Sequence, residues 1–171
     1  CLEPVSDPQL RYTIDKQLHN FIYINWITQH MPSAKIIHCT RNPMDNILSM
    51  YRSNFQAGSS YTFHLEDSAK VLVAHEQVMQ IHKERHPEKI FTFNYDNFVN
   101  AQMTNLFALL EWLELSWDQN FLHPETNKRS INTASVLQAR KPISNKSVGG
   151  WKNYQTLLKP AMCILEKSEL L

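Results

Sequence analysis

Arg41 and Ser49 form a candidate binding pair for a phosphate group. They lie eight residues apart. A guanidinium offers a planar, bidentate donor to phosphate oxygens, and a hydroxyl adds one further donor. If a helix begins just after Arg41, a rise of about 1.5 Å per residue puts Ser49 roughly 9 Å beyond the helix start. A phosphate that contacts both residues would lie beside the helix. The alternative is that Arg41 pairs with Asp45 and that Ser49 is a solvated helix residue.

The chain around Arg41 predicts a strand followed by a helix. Residues 35–39 (KIIHC) are a short β-rich run, which predicts a buried strand. Asn42 is a good N-cap residue, and Pro43 suits the first helical position. Asp45 has the spacing of a capping-box partner that reaches back to the start of the helix.

A second strand is predicted at residues 89–94 (KIFTFN), and Tyr95 follows it. The strand–helix–strand order favours a parallel sheet with right-handed crossovers. In such sheets ligands bind beyond the carboxyl ends of the strands. We therefore predict an α/β fold, a parallel sheet flanked by helices, with Arg41 and Tyr95 directed at one site.

Hydrophobic periodicity predicts the remaining elements. The first are a short strand at 12–14 and a helix at 17–30 whose apolar stripe is Leu18, Phe21, Ile22 and Ile27. A helix from about 65 to His86 follows, with Val71, Leu72, Val78 and Met79 on one face, and then an amphipathic helix at 98–113 whose stripe is Met103, Leu106, Phe107, Leu110 and Leu113. A last helix at 150–167 is broken or re-entered at Pro160. The polar segment 121–147 is long for a connection, and loops of such length are often functional.

Composition excludes several functional classes. The 171 residues suffice for one domain, and the net charge of +1 gives no basic field for nucleic acid. There is no run of about 18 apolar residues, so we predict no membrane span. Three widely spaced cysteines indicate reduced thiols in a cytoplasmic compartment. The chain starts at Cys1 without a methionine, which we interpret as a cut end.

Two motifs for bound cofactors are considered and set aside. His82 and His86 have the i, i+4 spacing of a metal site, but no third ligand is evident nearby. The charged stretch HKERH favours a solvated helix end. Neither GxxxxGK[ST] nor GxGxxG occurs among only three glycines. Any glycine-rich nucleotide cradle is therefore missing or lies upstream.

Five segments resemble, in the same order, motifs of sulfotransferases that use 3′-phosphoadenosine 5′-phosphosulfate. They are residues 12–16 (YTIDK), 34–49 (AKIIHCTRNPMDNILS), 94–98 (NYDNF), 133–143 (TASVLQARKPI) and 147–154 (SVGGWKNY). The run YRSNF at 51–55 is similar to the bacterial branch of this family, whose members often carry tetratricopeptide repeats ahead of the catalytic domain.

The resemblance implies a set of donor-binding residues. Arg41 and Ser49 would bind the 3′-phosphate of the donor. Tyr95 would contact the nucleotide near that phosphate, or be a half-buried core residue. Ser135 would hydrogen-bond the 5′-phosphosulfate. Gln138 and Arg140 match the same closing loop without an assigned contact.

Further along the closing loop, Trp151 would pack near the nucleotide or belong to the core. Relatives often have a basic residue just before this tryptophan, where this chain has Gly150. Lys152 or Lys146 would substitute for that residue.

The resemblance also implies two candidate catalytic residues. Lys16 would lie by the sulfuryl group and neutralise charge on the bridging oxygen, or form a surface ion pair with Asp15. The general base is His19 or a glutamate upstream of the chain, and we favour the upstream residue. In cytosolic sulfotransferases the base is a histidine at the position that Leu18 occupies here.

The whole chain thus resembles a partial sulfotransferase domain, residues 1–171, with an N-terminally incomplete, P-loop-NTPase-like fold. The loop that grips the 5′-phosphosulfate would lie upstream of Cys1. The implied reaction moves a sulfuryl group to a hydroxyl or amine acceptor of unknown class, without a metal. The alternatives are a non-catalytic nucleotide-binding fragment, a P-loop phosphotransferase, or a fragment that folds only with its upstream part.

Overall fold

The computed structural model describes residues 12–53, 55, 59–127 and 141–170. These residues form a helix-rich α/β fold with a small parallel sheet. The strands are β1 (Ile36–Thr40) and β2 (Ile90–Asn94). The α-helices are α1 (Ile24–His30), α2 (Pro43–Arg52), α3 (Leu65–Arg85), α4 (Tyr95–Asn100), α5 (Gln102–Leu113) and α6 (Gln155–Lys167). Short 3-10 turns occur at Asn20–Tyr23, Ser60–Phe63, Gln119–Leu122, Pro124–Thr126 and Gly150–Tyr154.

The two strands pair in parallel and in step. The register runs from Ile36 opposite Ile90 to Thr40 opposite Asn94, so both carboxyl ends stop at the same level. The parallel α/β prediction is confirmed. The strands are less buried than expected, because β1 buries only one face. His38 points inward, while Ile37 and Cys39 on the other face are exposed.

Helix α2 begins where the sequence predicted. The Asn42 side-chain oxygen accepts hydrogen bonds from the backbone N–H groups of Met44 and Asp45, both at 3.1 Å. The predicted capping box is wrong, because the Asn42 N–H donates instead to the Asp96 carboxylate at 2.6 Å. A carboxylate from another element has taken the place of the local partner.

The main core lies between α2, α3 and α6. Its buried members are Met44, Ile47, Leu48, Leu65, Ala69, Leu72, Leu158, Ala161 and Leu165. A smaller cluster of Ile24, Met79 and Ile90 packs α1 and α3 against β2, with Phe21 and Ile36 beside it. Burial of these apolar side chains is the main force that joins the helices to one another and to the sheet.

The N-terminal predictions are partly wrong. Residues 12–17 form no strand. The expected helix at 17–30 is a 3-10 turn followed by α1. Leu18 and Ile22, predicted as core, are exposed, whereas Ile24 is buried. The 3-10 turn rotates the following residues relative to an α-helix, so the helical stripe no longer faces one way.

The C-terminal helices also differ from the periodic pattern. The segment 98–113 is divided between α4 and α5 at Ala101, whose backbone is not helical. Leu110 is buried in the predicted stripe of α5, but Met103 and Phe107 are exposed. Pro160 lies inside α6, and the change from 3-10 to α-helix occurs at Gln155 instead.

Among the described residues, no helix combines the length and the apolar character needed to cross a bilayer.

Candidate functional site

Arg41 and Tyr95 lie together at the carboxyl ends of the two strands. Arg41 follows β1, and Tyr95 is the first residue of α4, directly after β2. The central guanidinium carbon lies 5.1 Å from the centre of the Tyr95 ring, within the range of a cation–π contact. The sequence-based prediction that both residues would flank one point at the sheet edge is therefore confirmed in position.

The Arg41 guanidinium is oriented by the loop before α6. Its Nη2 donates a hydrogen bond of 2.7 Å to the carbonyl oxygen of Ser147. Its Nε is buried, and none of the described residues offers it an acceptor. A buried donor without an acceptor costs about 1–3 kcal/mol, so proteins seldom retain one without a reason. The arrangement fits an anion that would accept from this nitrogen.

Asp45 holds the same loop against α2. Its carboxylate is 3% exposed and accepts hydrogen bonds from the backbone N–H groups of Gly149 at 2.6 Å and Trp151 at 2.9 Å. Asp45 is thus bound to the loop backbone, and the alternative in which it pairs with Arg41 is not what the structure shows. The spacing of the motif gave no signal for this role.

Gly149 and Gly150 differ in whether a side chain could be accommodated at their positions. Gly149 has φ of 71°, in the left-handed region where a side chain would be strained. At Gly150 a Cβ would lie 3.7 Å from the nearest Asp45 oxygen, which is an ordinary contact. A Cβ at Gly150 would therefore meet no clash.

Ser49 lies on the flank of α2. It is exposed and stands one helical turn after Asp45, so the two side chains share a face of the helix. That face meets the loop at 149–151 through Asp45. No hydrogen bond joins Ser49 to Arg41, and the pairing of these two residues on one phosphate stays a prediction.

The loop residues predicted near the nucleotide differ in burial. Trp151 is half-buried and packs against the core of α2, α3 and α6. This placement is the core alternative, and it leaves part of the ring accessible. Lys152 and Lys146 are exposed. The predictions for Ser135, Gln138 and Arg140 fall outside the described residues.

Lys16 and His19 lie near the start of the described chain, and both are exposed. The alternative ion pair of Lys16 with Asp15 is absent from the described ion pairs, and Asp15 instead accepts a hydrogen bond of 2.9 Å from the Asn20 side chain. His19 precedes the 3-10 turn at Asn20–Tyr23. No described contact joins either residue to Arg41 or Tyr95, so their catalytic roles stay predictions.

Asp96 is a site residue that the sequence analysis missed. One carboxylate oxygen accepts from the Asn42 N–H, and the other is buried and accepts from no donor in the described part of the chain. This bond joins Asp96, the residue after Tyr95, to Asn42, the residue after Arg41. It therefore links the end of β2 to the start of α2. Its position directly after Tyr95 at a strand end was the available signal.

The environment of His82 differs from the one that the sequence analysis predicted. It is buried in α3, although a solvated helix end was predicted for it. Burial, followed by the charges of His86 and Arg85, lowers the pKa of His82, and a hydrogen bond with the Phe21 backbone offsets part of this effect. His86 faces Thr28 instead, with Nε2 3.5 Å from the threonine oxygen. The two histidines therefore have different neighbours.

Comparison with known proteins identifies the family of the chain. The family model described as "Sulfotransferase family" matches residues 1–119, more than half of the chain. The chain belongs to the sulfotransferase family. The matched part contains Arg41, Ser49 and Tyr95, whereas the loop at 147–151 lies beyond it.

A relative in Aquifex aeolicus (strain VF5) is 33% identical over 157 residues. Its name is "Uncharacterized protein", so it adds no activity. The aligned part is 90% of this chain and 21% of the relative. The chain thus spans about a fifth of the length of this relative.

Proposed function

We propose that this chain provides the 3′-phosphate-binding half of a sulfotransferase site that uses 3′-phosphoadenosine 5′-phosphosulfate. The observation that carries the proposal is Arg41. It stands at the carboxyl end of β1, contacts the Tyr95 ring, is fixed by the Ser147 carbonyl, and keeps a buried Nε donor free. A guanidinium held in this way is suited to a dianion. Family membership favours sulfuryl transfer over the phosphotransferase alternative.

The ribose-borne 3′-phosphate would bind between Arg41 and the exposed hydroxyl of Ser49. The partly accessible faces of Tyr95 and Trp151 would border the nucleotide. Ser135, Gln138 and Arg140 would close over the donor, and Lys152 or Lys146 would add positive charge. The cradle for the 5′ end, the P-loop-like part of the fold, and tetratricopeptide repeats would belong to further parts of the protein.

In the transfer step the acceptor oxygen or nitrogen attacks sulfur as the bond from sulfur to the bridging oxygen breaks. Adenosine 3′,5′-bisphosphate leaves, and the proton of the acceptor passes to a general base. Lys16 would neutralise the charge on the bridging oxygen, and fixed cations of this kind make a metal unnecessary. The base would be a residue upstream of the chain, or His19. The acceptor is a hydroxyl or an amine.

Isothermal titration calorimetry tests the proposal. It compares the affinities of the chain for adenosine 3′,5′-bisphosphate, AMP and ATP. We expect the bisphosphate to bind more tightly than AMP or ATP. Arg41→Ala should weaken bisphosphate binding about 10- to 150-fold, since a hydrogen bond to a charged group contributes about 1.5–3 kcal/mol. AMP binding should change little.

Arg52→Ala is the matched control. Arg52 lies in the last turn of α2 and faces Tyr154, with its guanidinium carbon 6.0 Å from that ring. We expect this variant to retain the preference for the bisphosphate. Equal affinity for AMP and the bisphosphate in the unmodified chain would contradict the proposal, as would an unchanged preference in Arg41→Ala.

A further inference from the structure

A second cluster of polar side chains lies between β1 and α3, away from the sheet edge. It consists of His38 on β1, and His75 and Glu76 on α3. One ligand atom of each residue lies within 4.8 Å of the other two. The Phe21 ring packs edge-on against His75, with the ring centres 4.7 Å apart, and borders the cluster on one side.

His38 is the least accessible member of the cluster. Its side chain is 4% exposed, and it faces inward from the middle of β1. Its Nε2 lies 3.5 Å from the Glu76 carboxylate, but the geometry is not that of a hydrogen bond. Among the residues that the structure describes, neither ring nitrogen has a hydrogen-bond partner. Buried polar atoms are nearly always satisfied, so an unpaired imidazole directed at a carboxylate and a second imidazole suggests a missing ligand.

Two of the three distances within the cluster are close to those between the ligands of a tetrahedral ion. With bonds of about 2.0–2.1 Å to zinc, ligand atoms are separated by about 3.3 Å. Glu76 Oε1 lies 3.5 Å from His38 Nε2 and 3.3 Å from His75 Nδ1. The two histidine nitrogens lie within 4.8 Å of each other, so a side-chain movement that brings them closer would complete the set of ligands.

We propose that His38, His75 and Glu76 bind a divalent transition-metal ion of the zinc class. Two imidazoles and one carboxylate are ligands that zinc commonly uses, and a water would complete the tetrahedron. Glutamate is ordinarily ionised near neutral pH, and the neutral imidazole is the form of histidine that binds a metal. All three side chains can therefore act as ligands in that range.

The ion would take no part in the transfer of the sulfuryl group. His38 precedes Arg41 by three residues, about 10 Å along an extended strand, so the ion would not touch the donor. It would fasten β1 to α3 and so stiffen the strand that positions Arg41. The site does not depend on the proposed function, because none of its three ligands takes part in donor binding.

Zinc binding to the metal-free chain tests this proposal, with a preparation that carries no histidine tag. We expect one zinc ion per chain by calorimetry and by metal analysis after dialysis, together with a higher melting temperature. Glu76→Gln keeps the shape of the side chain and should weaken zinc binding by about 100-fold or more, since even groups that only support a metal ligand contribute 10- to 100-fold. The ring-proton signals of two histidines should shift in the unmodified chain.

Glu125→Gln is the matched control. Glu125 also contacts a histidine, with Oε1 3.2 Å from Nδ1 of His123, but that histidine is exposed. Zinc affinity should be unchanged in this variant. A chain that retains no zinc, or one whose zinc binding survives both Glu76→Gln and His75→Gln, would overturn the proposal. The ring-proton signals of the unmodified chain keep the proposal testable even if a variant fails to fold. If no histidine signal shifts when zinc is added, the proposal is wrong.

Discussion

At the scale of single residues, Arg41 is held in one orientation by groups from two other segments of the chain. The Ser147 carbonyl and the Tyr95 ring hold the guanidinium from two sides, while Nε is left as a buried donor. A side chain fixed in this way loses little rotamer freedom when it binds. The residue type was readable from the sequence, but its fixation depends on residues far away along the chain.

Ser49→Ala tests the second half of the proposed phosphate pair. We expect affinity for adenosine 3′,5′-bisphosphate to fall about tenfold, because one hydrogen bond to a charged group is lost. Protein stability should hardly change, since the side chain is exposed. Calorimetry and urea unfolding measure the two quantities.

The control for this variant is Ser53→Ala. It also removes a hydroxyl from the α2 region, one that donates to the Ser49 carbonyl at 2.7 Å. Its affinity for the bisphosphate should equal that of the unmodified chain. If both variants bind like the unmodified chain, Ser49 does not contact the phosphate.

At the scale of elements, the contact between α2 and the loop at 147–151 positions the site. Asp45 accepts from two backbone N–H groups of this loop, and the loop in turn supplies the carbonyl that orients Arg41. Helix α2 therefore helps to orient Arg41 through the loop that its Asp45 holds.

Asp45→Asn should weaken this contact. The amide can accept from only one of the two N–H groups, and its own NH₂ would face the other. We expect a loss of about 1–3 kcal/mol in the free energy of unfolding by urea titration. Bisphosphate affinity should fall as well, because the Ser147 carbonyl would no longer be held in place.

Asp118→Asn provides the comparison for Asp45→Asn. Asp118 is an exposed carboxylate that accepts from the Asn120 N–H at 2.8 Å. Solvent can replace this bond, so stability should change by less than about 0.5 kcal/mol. Equal effects of the two variants would show that burial of Asp45 is unimportant.

His82 gives α3 a predictable response to pH. Its pKa is lowered from 6.5 in the folded state, so the unfolded chain takes up its proton first as the pH falls. This difference removes stability below about pH 6.5. With chelator present, His82→Gln should show a smaller loss of unfolding free energy between about pH 7.5 and 5.5 than the unmodified chain.

The control for the pH experiment is His64→Gln, because the His64 side chain is exposed and makes no hydrogen bond or ion pair within the described part of the chain. It should keep the full pH dependence of the unmodified chain. A pH dependence of His82→Gln as steep as that of the unmodified chain would mean that His82 does not titrate differently in the folded and unfolded states.

At the scale of the whole molecule, the core of α2, α3 and α6 joins segments that are distant in the chain. This core joins the helix after Arg41 to the C-terminal helix that follows Trp151. Long-range packing therefore holds the two segments of the site together, although about a hundred residues separate them in the chain.

Leu158→Ala tests how much this core contributes to the free energy of unfolding. Leu158 has no exposed surface, whereas its neighbour Leu157 is 46% exposed. We expect Leu158→Ala to reduce the free energy of unfolding by about 2–5 kcal/mol, because it leaves a cavity. Leu157→Ala should cost less than about 0.5 kcal/mol. Urea titration compares the two, and similar costs would contradict the packing described here.

The sequence determined by itself the features that depend on neighbouring residues. The strand–helix unit at 36–52, its Asn42 cap, the second strand and the placement of Arg41 and Tyr95 at the strand ends were all predictable. Local hydrogen bonds, proline geometry and the parallel topology are sufficient for these. The family resemblance was likewise contained in the motif order, and the family is confirmed.

Only the tertiary structure decided which polar groups meet. Asp45 had a local partner in the capping-box pattern, yet it binds Gly149 and Trp151, while Asp96 takes the Asn42 N–H. The stripe of α5 and the burial of His82 were also misjudged, because periodicity tells which residues share a face and not what covers it. Contacts between residues distant in the chain depend on how helices pack, and spacing within one segment carries no such information.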